Sequence, residues 1–586
     1  MKSVAAKLLF CLCFMLSLRS INAQYAIVTT TSDTLGYDNR VLTKDLDSIS
    51  ISQSGYATLQ PGGNLISPGG LFQTDYISGL NLFRQHTPSF NQLKNYYVGL
   101  PHLGFYYSFA SRGLQNVHVD YQHTIAKKFN IHLVYNGHHL SEQAGFLRNS
   151  GYKNNVIQLL MNYNGERYKG LYYLNYYFGQ RRSSQGVENN SLLNDYPVQL
   201  IPVINQTASS KLTTVDAGTQ HLLSFTKDSL VKHGIIYQNE LKLQSRKYTE
   251  TGETILNYDS VYKDQDSTYD HYQWYRVRNE GGYYIQSSRL SIAAKAFHQF
   301  WNYKNQGIFM DTTEIGLDAD LKFSWSKFDL KSQFEFTFIG AAGEVLSNST
   351  LNWKDRKFDI GAHLLFENRY PSVFMRNYSG NSVKWYLTDL QLQQTLKIGG
   401  YFNWKESFPF QANVSWANLS NQYWLVDNQL RNDTLSNVSL LNINIKTKVK
   451  AGHFHFDPYL ALNVTSGNIR FVPLLDARLN VYWNKLLFST KKFDFIFGAT
   501  ARYQTAYDLI SYNHLVDLYQ FAEGTLSYQP VVRVDIYTGF QIDNFRVFLR
   551  YENLDTFWNS RENFTVEGYP VAPGVIRVGI TWDFFN

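Results

Sequence analysis

Past its first two dozen residues this chain has no long apolar run; nowhere do eighteen consecutive apolar residues occur. That excludes a transmembrane helix, which needs roughly 20 such residues to cross the hydrocarbon layer. Cysteine is nearly absent. Cys11 and Cys13 are the only two, and both lie inside an N-terminal apolar stretch. A chain that sheds this stretch carries no thiol, which excludes disulfides and thiolate-held metal. Neither cysteine follows a Leu-x-Gly/Ala pattern, so no lipid attachment is expected there. Proline is scarce, at 13 in 586 residues, as suits a chain of paired strands, because proline cannot donate to a ladder. A strong charge of one sign is missing as well. The net charge is +7, or +4 once Lys2, Lys7 and Arg19 are subtracted. So small and dispersed a charge does not point to nucleic acid.

Aromatic residues are abundant, with 43 Tyr, 40 Phe and 11 Trp. Aromatic girdles at two membrane interfaces would need such a supply. The mean hydropathy of −0.31 would suit a soluble protein. In a membrane barrel, however, each lumen-facing residue dilutes a lipid-facing one. The N-terminus agrees with export. Lys2 and Lys7 precede the apolar stretch Leu8–Leu18, and Ile21-Asn22-Ala23 has the small-residue character of a cleavage site. Residues 1–23 are therefore expected to be a secretory signal.

The strongest pattern lies at the other end. In VIRVGITWDFFN, Ile576, Val578, Ile580, Trp582 and Phe584 alternate with Arg577, Gly579, Thr581 and Asp583. Strict period-2 alternation marks a strand with one apolar and one polar face. The same texture recurs at 315–324, 328–338, 358–367, 475–483, 532–541 and 545–552, with no helical segment between. Short polar turns are expected at 126–128, 164–166, 326–327, 354–356, 405–407 and 543–544. Longer loops are expected near 138–152, 181–218, 247–280, 370–384, 418–436, 506–528 and 553–574. Short turns on one rim and long loops on the other are the plan of a bacterial up-and-down barrel. Counting back to a first strand near 98–110 gives about 22 strands, and weak alternation near 281–301 and 345–353 leaves 18 or 20 open. The expected fold is thus all-β, a transmembrane antiparallel barrel of about 18–22 strands over residues 96–586. Both termini would be periplasmic. Residues 24–95, with Pro61-Gly62-Gly63 and Pro68-Gly69-Gly70, offer few apolar residues for a core of their own. They are expected to be a periplasmic extension or a small luminal segment.

From about residue 95 onward the chain resembles the putative-porin family of Bacteroidota outer membranes. ARYQTAYDL (501–509), QPVVRVDIYTGFQIDNFRVFLRYENL (529–554) and EGYPVAPGVIRVGITWDFFN (567–586) carry the resemblance. The Tyr-Pro before the last strand and its Arg-x-Gly-x-x-Trp-x-Phe ending are the most family-like elements. The resemblance implies general diffusion or uptake and supplies no substrate. The chain departs from the common barrel ending by closing on Asn586 instead of an aromatic residue.

On the last strands, Arg533, Asp535, Arg546, Arg550, Glu552, Arg577 and Asp583 fall on the polar face and are the candidate pore-lining residues. Such charges either tune ion selectivity or pair across strands and brace the wall. Tyr258, Tyr262, Tyr269, Tyr272, Trp274 and Tyr275, assigned to the 247–280 loop, would stack on sugars or on other loops. His118, His123, His132, His138 and His139 lack metal-site spacing, and no nucleophile elbow or phosphate loop is present. No catalytic, cofactor or metal residues are expected. The predicted function is a porin-like channel for passive diffusion of small hydrophilic solutes. Its expected partners are outer-membrane lipid, lipopolysaccharide and the barrel-assembly machinery. The alternatives are a receptor or a structural or adhesion barrel with a closed lumen and, further off, a barrel hydrolase. A plugged TonB-dependent receptor would need a larger N-terminal domain than about seventy loose residues.

Overall fold

The computed structural model describes residues 101–585, apart from short segments at 112, 126–127, 142–146, 227–229, 253–254, 256–257, 407, 433–436, 467–471, 490–491, 510, 522–526, 559–562 and 572. The expected signal and the 24–95 segment lie outside the described residues. The rest is a closed barrel of 22 antiparallel strands. In chain order these are β1 (His102–Ala110), β2 (Leu114–Ile125), β3 (Phe129–Leu140), β4 (Tyr152–Asn164), β5 (Tyr168–Arg182), β6 (Ser209–Ser224), β7 (Val231–Thr251) and β8 (Ser267–Ser287). Next come β9 (Leu290–Asn305), β10 (Ile308–Trp325), β11 (Phe328–Ile339), β12 (Val345–Lys354), β13 (Phe358–Arg369), β14 (Gln393–Trp404) and β15 (Phe410–Ser420). The last seven are β16 (Asn437–Thr447), β17 (Phe454–Thr465), β18 (Leu475–Leu487), β19 (Phe493–Gln504), β20 (Val532–Ile542), β21 (Phe545–Glu552) and β22 (Val575–Phe585). A short piece, Val449–Ala451, continues β16 past Lys448 and pairs with β17 as β16 does.

The C-terminal strand closes the ring. β22 pairs with β21 on one side and with β1 on the other, in a register that runs from His102↔Phe585 to Ala110↔Arg577. Closure satisfies the backbone groups that an edge would leave bare in lipid. The period-2 pattern divides β22 as expected. Ile576 is 48% exposed and Val578 45%, whereas Arg577 between them is 0% exposed. The exposed apolar face is the lipid face, and the polar face turns inward. For 22 strands at the usual spacing and tilt, the ring is roughly 40 Å across.

The two rims differ. At one, strands join through tight turns such as Ser326-Lys327 and Asp543-Asn544, with positive φ at Ser326 and Asp543. Aromatic rings crowd this rim: Phe328 meets Trp353 edge-on at 4.4 Å, Phe493 stacks on Phe540 at 5.1 Å, and Trp582 stacks on Phe584 at 4.3 Å. At the opposite rim the connections are long. Four of them are shorter than the sequence suggests, because the strands run on, whereas those at 370–392 and 505–531 are longer. β7 and β8 are each 21 residues long, about twice what a tilted crossing needs. The 247–280 loop contracts to 252–266, and Tyr269, Tyr272, Trp274 and Tyr275 belong to β8. The 181–218 loop likewise contracts to 183–208. Beyond the bilayer neither face of a strand meets lipid, so the apolar alternation stops although the ladder continues.

Candidate functional site

The inward polar face of β20–β22 holds the predicted charges, and the structure joins four of the seven to one another and a fifth, Arg533, to the adjoining loop. Arg577 forms a two-point pair with Glu552, Nε donating to Oε1 at 2.7 Å and Nη2 to Oε2 at 3.1 Å. Arg550 donates to Asp535 at 2.5 Å and approaches Glu552 at 4.0 Å. Arg533 reaches Asp555, in the loop after β21, at 3.8 Å. The other two stand apart, nearer the turn rim. Arg546 donates to Gln541 at 2.6 and 3.1 Å, and Asp583 meets His102 of β1 across the closing seam at 3.3 Å. Arg550 and Arg577 are buried. Their geometry is that of a braced wall.

A second charged surface, on the strands β6–β13, was not selected from sequence. It borders a cavity of about 670 Å³ inside the barrel. Lys295 of β9 sits among Asp318 at 2.8 Å, Glu280 at 2.9 Å and Asp320 at 3.1 Å, and also donates to Gln238 at 2.9 Å. Arg278 of β8 bonds Glu280 at 2.5 Å and Glu335 of β11 at 2.9 Å, and its guanidinium lies 3.9 Å above the Phe297 ring. Arg276 pairs with Glu240 of β7, which Lys242 also meets at 2.8 Å. Arg369 of β13 joins the ribbon through Glu367 at 3.1 Å and Glu335 at 3.4 Å. Among the described residues, eight carboxylates and six cations line the cavity, an excess of two acids. Glu344, in the connection from β11 to β12, is one of them. Burial, reinforced by Glu314, pushes its carboxyl up to about 7. A Trp274–Trp301 pair, 5.5 Å between ring centres, forms an aromatic wall beside the charges. The signal was present in Arg276-x-Arg278-x-Glu280, charges at strand spacing. Assigning 247–280 to a loop hid it. The predicted set on β20–β22 does not border this cavity.

The loop rim is spanned from within. Between β19 and β20, Ser511–Asn513 and Leu518–Phe521 pair as a hairpin whose four-residue tip is 514–517. Asp517 at the tip is 0% exposed. Its Oδ1 accepts from Arg181 Nη2 of β5 at 2.6 Å and from the Tyr512 hydroxyl. Its Oδ2 accepts from Arg246 Nε of β7 at 2.6 Å and from Ser210 Oγ of β6 at 2.8 Å. Arg246 also donates to the carbonyls of Leu515 and His514, at 2.7 and 3.0 Å. From β20, counting through β21 and β22 to β1 and on, β7 is nine strands away; eleven would be diametrically opposite in a ring of 22. Burial alone would raise the Asp517 carboxyl, but Arg246 and Arg181 outweigh it and hold it below its ordinary range. Beside it His514 contacts the Tyr258 hydroxyl at 2.8 Å. Burial, with Arg181 adding to it, lowers the His514 imidazole to about 3.

Other loops meet the hairpin. Leu425↔Gln520 and Val426↔Phe521 pair in parallel, which links it to the connection between β15 and β16. Leu515, Val516 and Leu518 are buried with Tyr272, Phe374, Tyr378 and Trp385 in one apolar cluster, against which Tyr258 and Trp274 also pack. Of the histidines noted in sequence, His118 meets Asn136 at 2.6 Å, His132 meets Asp120 at 3.0 Å and His138 meets Asn116 at 2.9 Å.

Among solved structures the barrel is similar to the FrpB iron transporter from Neisseria meningitidis, with 9% identity over 84% of this chain and 83% of that one and a TM-score of 0.57. It is also similar to the ferric-catecholate import receptor Fiu from Escherichia coli K12, with 10% identity, coverage of 84% and 82%, and a TM-score of 0.56. The siderophore receptor PirA from Acinetobacter baumannii gives 10% identity, coverage of 84% and 81%, and a TM-score of 0.56. Identity so low shows a shared fold alone. No curated protein matches the sequence. The profile of one family, described as putative porin, matches residues 59–586, which is all of the barrel and part of the segment before it. On that match and this architecture, the chain belongs to the putative porin family of outer-membrane β-barrels.

Proposed function

We propose that the protein is a non-catalytic channel for passive diffusion of small hydrophilic solutes across the outer membrane. The long-loop rim faces outward and both termini face the periplasm. The observation that carries this reading is the cavity bordered by β6–β13, where, among the described residues, eight carboxylates and six cations face one space. Fixed charges on an inner wall replace part of a polar solute's hydration and lower the barrier to its passage. The amide side chains Gln238, Gln244, Gln299 and Gln333 among them add hydrogen-bonding partners of both kinds,. Membership of the putative porin family supports the same reading.

A second reading, a receptor barrel whose lumen is closed on the outside, is favoured by the loops that meet over the rim. The shared fold with an iron transporter and two import or siderophore receptors is compatible with it. The purified protein, folded into planar bilayers and into liposomes, decides between them. A channel gives discrete conductance steps and swelling of the liposomes in small sugars and amino acids. Silence in both assays would reject diffusion and favour the receptor.

A further inference from the structure

We propose that the hairpin at 511–521 is a strap across the barrel that sets the size limit for solutes, with Asp517 as the specificity-determining residue. The proposal rests on the channel reading above. The luminal charges alone would select by sign; a strap across the rim selects by size. Its reach fits the task. The tip is seated on the far wall by bonds from three strands: Arg181 of β5, Ser210 of β6 and Arg246 of β7. The flanking Leu515, Val516 and Leu518 are buried in an apolar cluster with side chains of β8 and β9 and of the 373–385 segment. The strap is thus held at its free end as well as at its two roots.

The ion pairing of the clasp rests on one carboxylate. Asp517 accepts from both guanidiniums, and no other carboxylate of the described residues lies within ion-pair distance of Arg246. Removing it leaves Arg246 enclosed without its counter-ion, a strongly unfavourable arrangement that unseating the tip relieves. The carboxyl stays ionised at neutral pH, so the strap is permanently fastened there and does not act as a pH switch.

The test makes the clasp reversible. Ser210 Oγ and Asp517 Oδ2 are 2.8 Å apart, so Ser210→Cys with Asp517→Cys puts thiols on two side chains that already touch, and the oxidised pair is confirmed by loss of free thiol. Cys11 and Cys13, the chain's own cysteines, are replaced by Ser. The oxidised protein keeps the strap tethered and the reduced protein frees it. Liposome swelling is then measured with neutral sugars from a monosaccharide to a tetrasaccharide. On reduction, tri- and tetrasaccharide rates should rise roughly tenfold, with less than about a twofold change for the monosaccharide. Asp517→Asn should give the same gain without any thiol chemistry. If the monosaccharide passes but the larger sugars are equally slow in the oxidised, reduced and Asp517→Asn proteins, the strap is overturned and the channel stands. If no sugar passes in any state, the channel reading falls and the strap falls with it.

Discussion

Arg577 is fully enclosed, and it holds Glu552 by two bonds, at 2.7 and 3.1 Å. An isolated charge in that position would be costly, so the pair should be far more sensitive to loss of one member than of both. Arg577→Ala should destabilise the barrel by about 3–5 kcal/mol, whereas adding Glu552→Ala should restore most of the loss. Urea unfolding in lipid vesicles, followed by tryptophan fluorescence, checks this as a double-mutant cycle. Equal losses for the single and double variants would remove the pairing argument. His514 makes a pH prediction. Its folded-state value of about 3 lies below the ordinary 6.5. The unfolded chain therefore binds the proton more readily, so this contribution to stability is complete above about pH 6.5 and declines as pH falls toward 3. His514→Gln keeps a polar partner for Tyr258 but cannot titrate. Between pH 7 and 4.5 its melting temperature should drop less than that of the unaltered protein; identical drops would contradict the assignment. Alternation alone placed Arg577 and Glu552 on one face. The enclosure of His514 was not legible, because it depends on a loop meeting the far wall.

At the scale of elements, β10 shows how a small residue supports a large contact. The ladder between β10 and β11 shifts register between Ile315 and Gly316. A Cβ on Gly316 would lie 2.3 Å from both the Phe297 ring and the Phe336 carbonyl. Phe297 in turn supports the Arg278 guanidinium above it. Gly316→Ala should therefore cost about 1–3 kcal/mol by overpacking and should displace Arg278 from its place beside Glu280 and Glu335. The urea midpoint reports the first effect. A change in reversal potential across a salt gradient reports the second, and an unchanged value would show that the cavity charges are indifferent to Phe297. The apolar alternation of β10 and β11 was plain in the sequence. The charge ribbon was not, because it forms between side chains of successive strands, whose relative register the alternation within each strand does not fix. The extensions of β7 and β8 were hidden for a different reason: a ladder outside the membrane needs no apolar face, so hydropathy stops marking a strand that hydrogen bonding continues.

At the scale of the molecule, the closed ring makes position on the inner or outer face the main determinant of tolerance. Leu549, midway along β21, is 46% exposed on the lipid face. Leu549→Arg should cost about 2–4 kcal/mol near the bilayer midplane, while Leu549→Phe should be close to neutral. Folding into vesicles of defined lipid, with urea titration, measures both; equal stabilities would mean that this face does not meet hydrocarbon.

What the sequence by itself determined is local and periodic. Alternating side chains set the two faces of each strand, turn residues set one rim, and VIRVGITWDFFN marked the strand that closes the barrel. These follow from the backbone geometry of a strand, which repeats every two residues whatever its neighbours are. Only the tertiary structure decided which charges share a space. Lys295 meets Asp318 and Glu280 because three strands lie side by side, and Asp517 meets Arg181 and Arg246 because a hairpin crosses from one wall to the other. Such meetings depend on ring closure and loop reach, which no periodicity records.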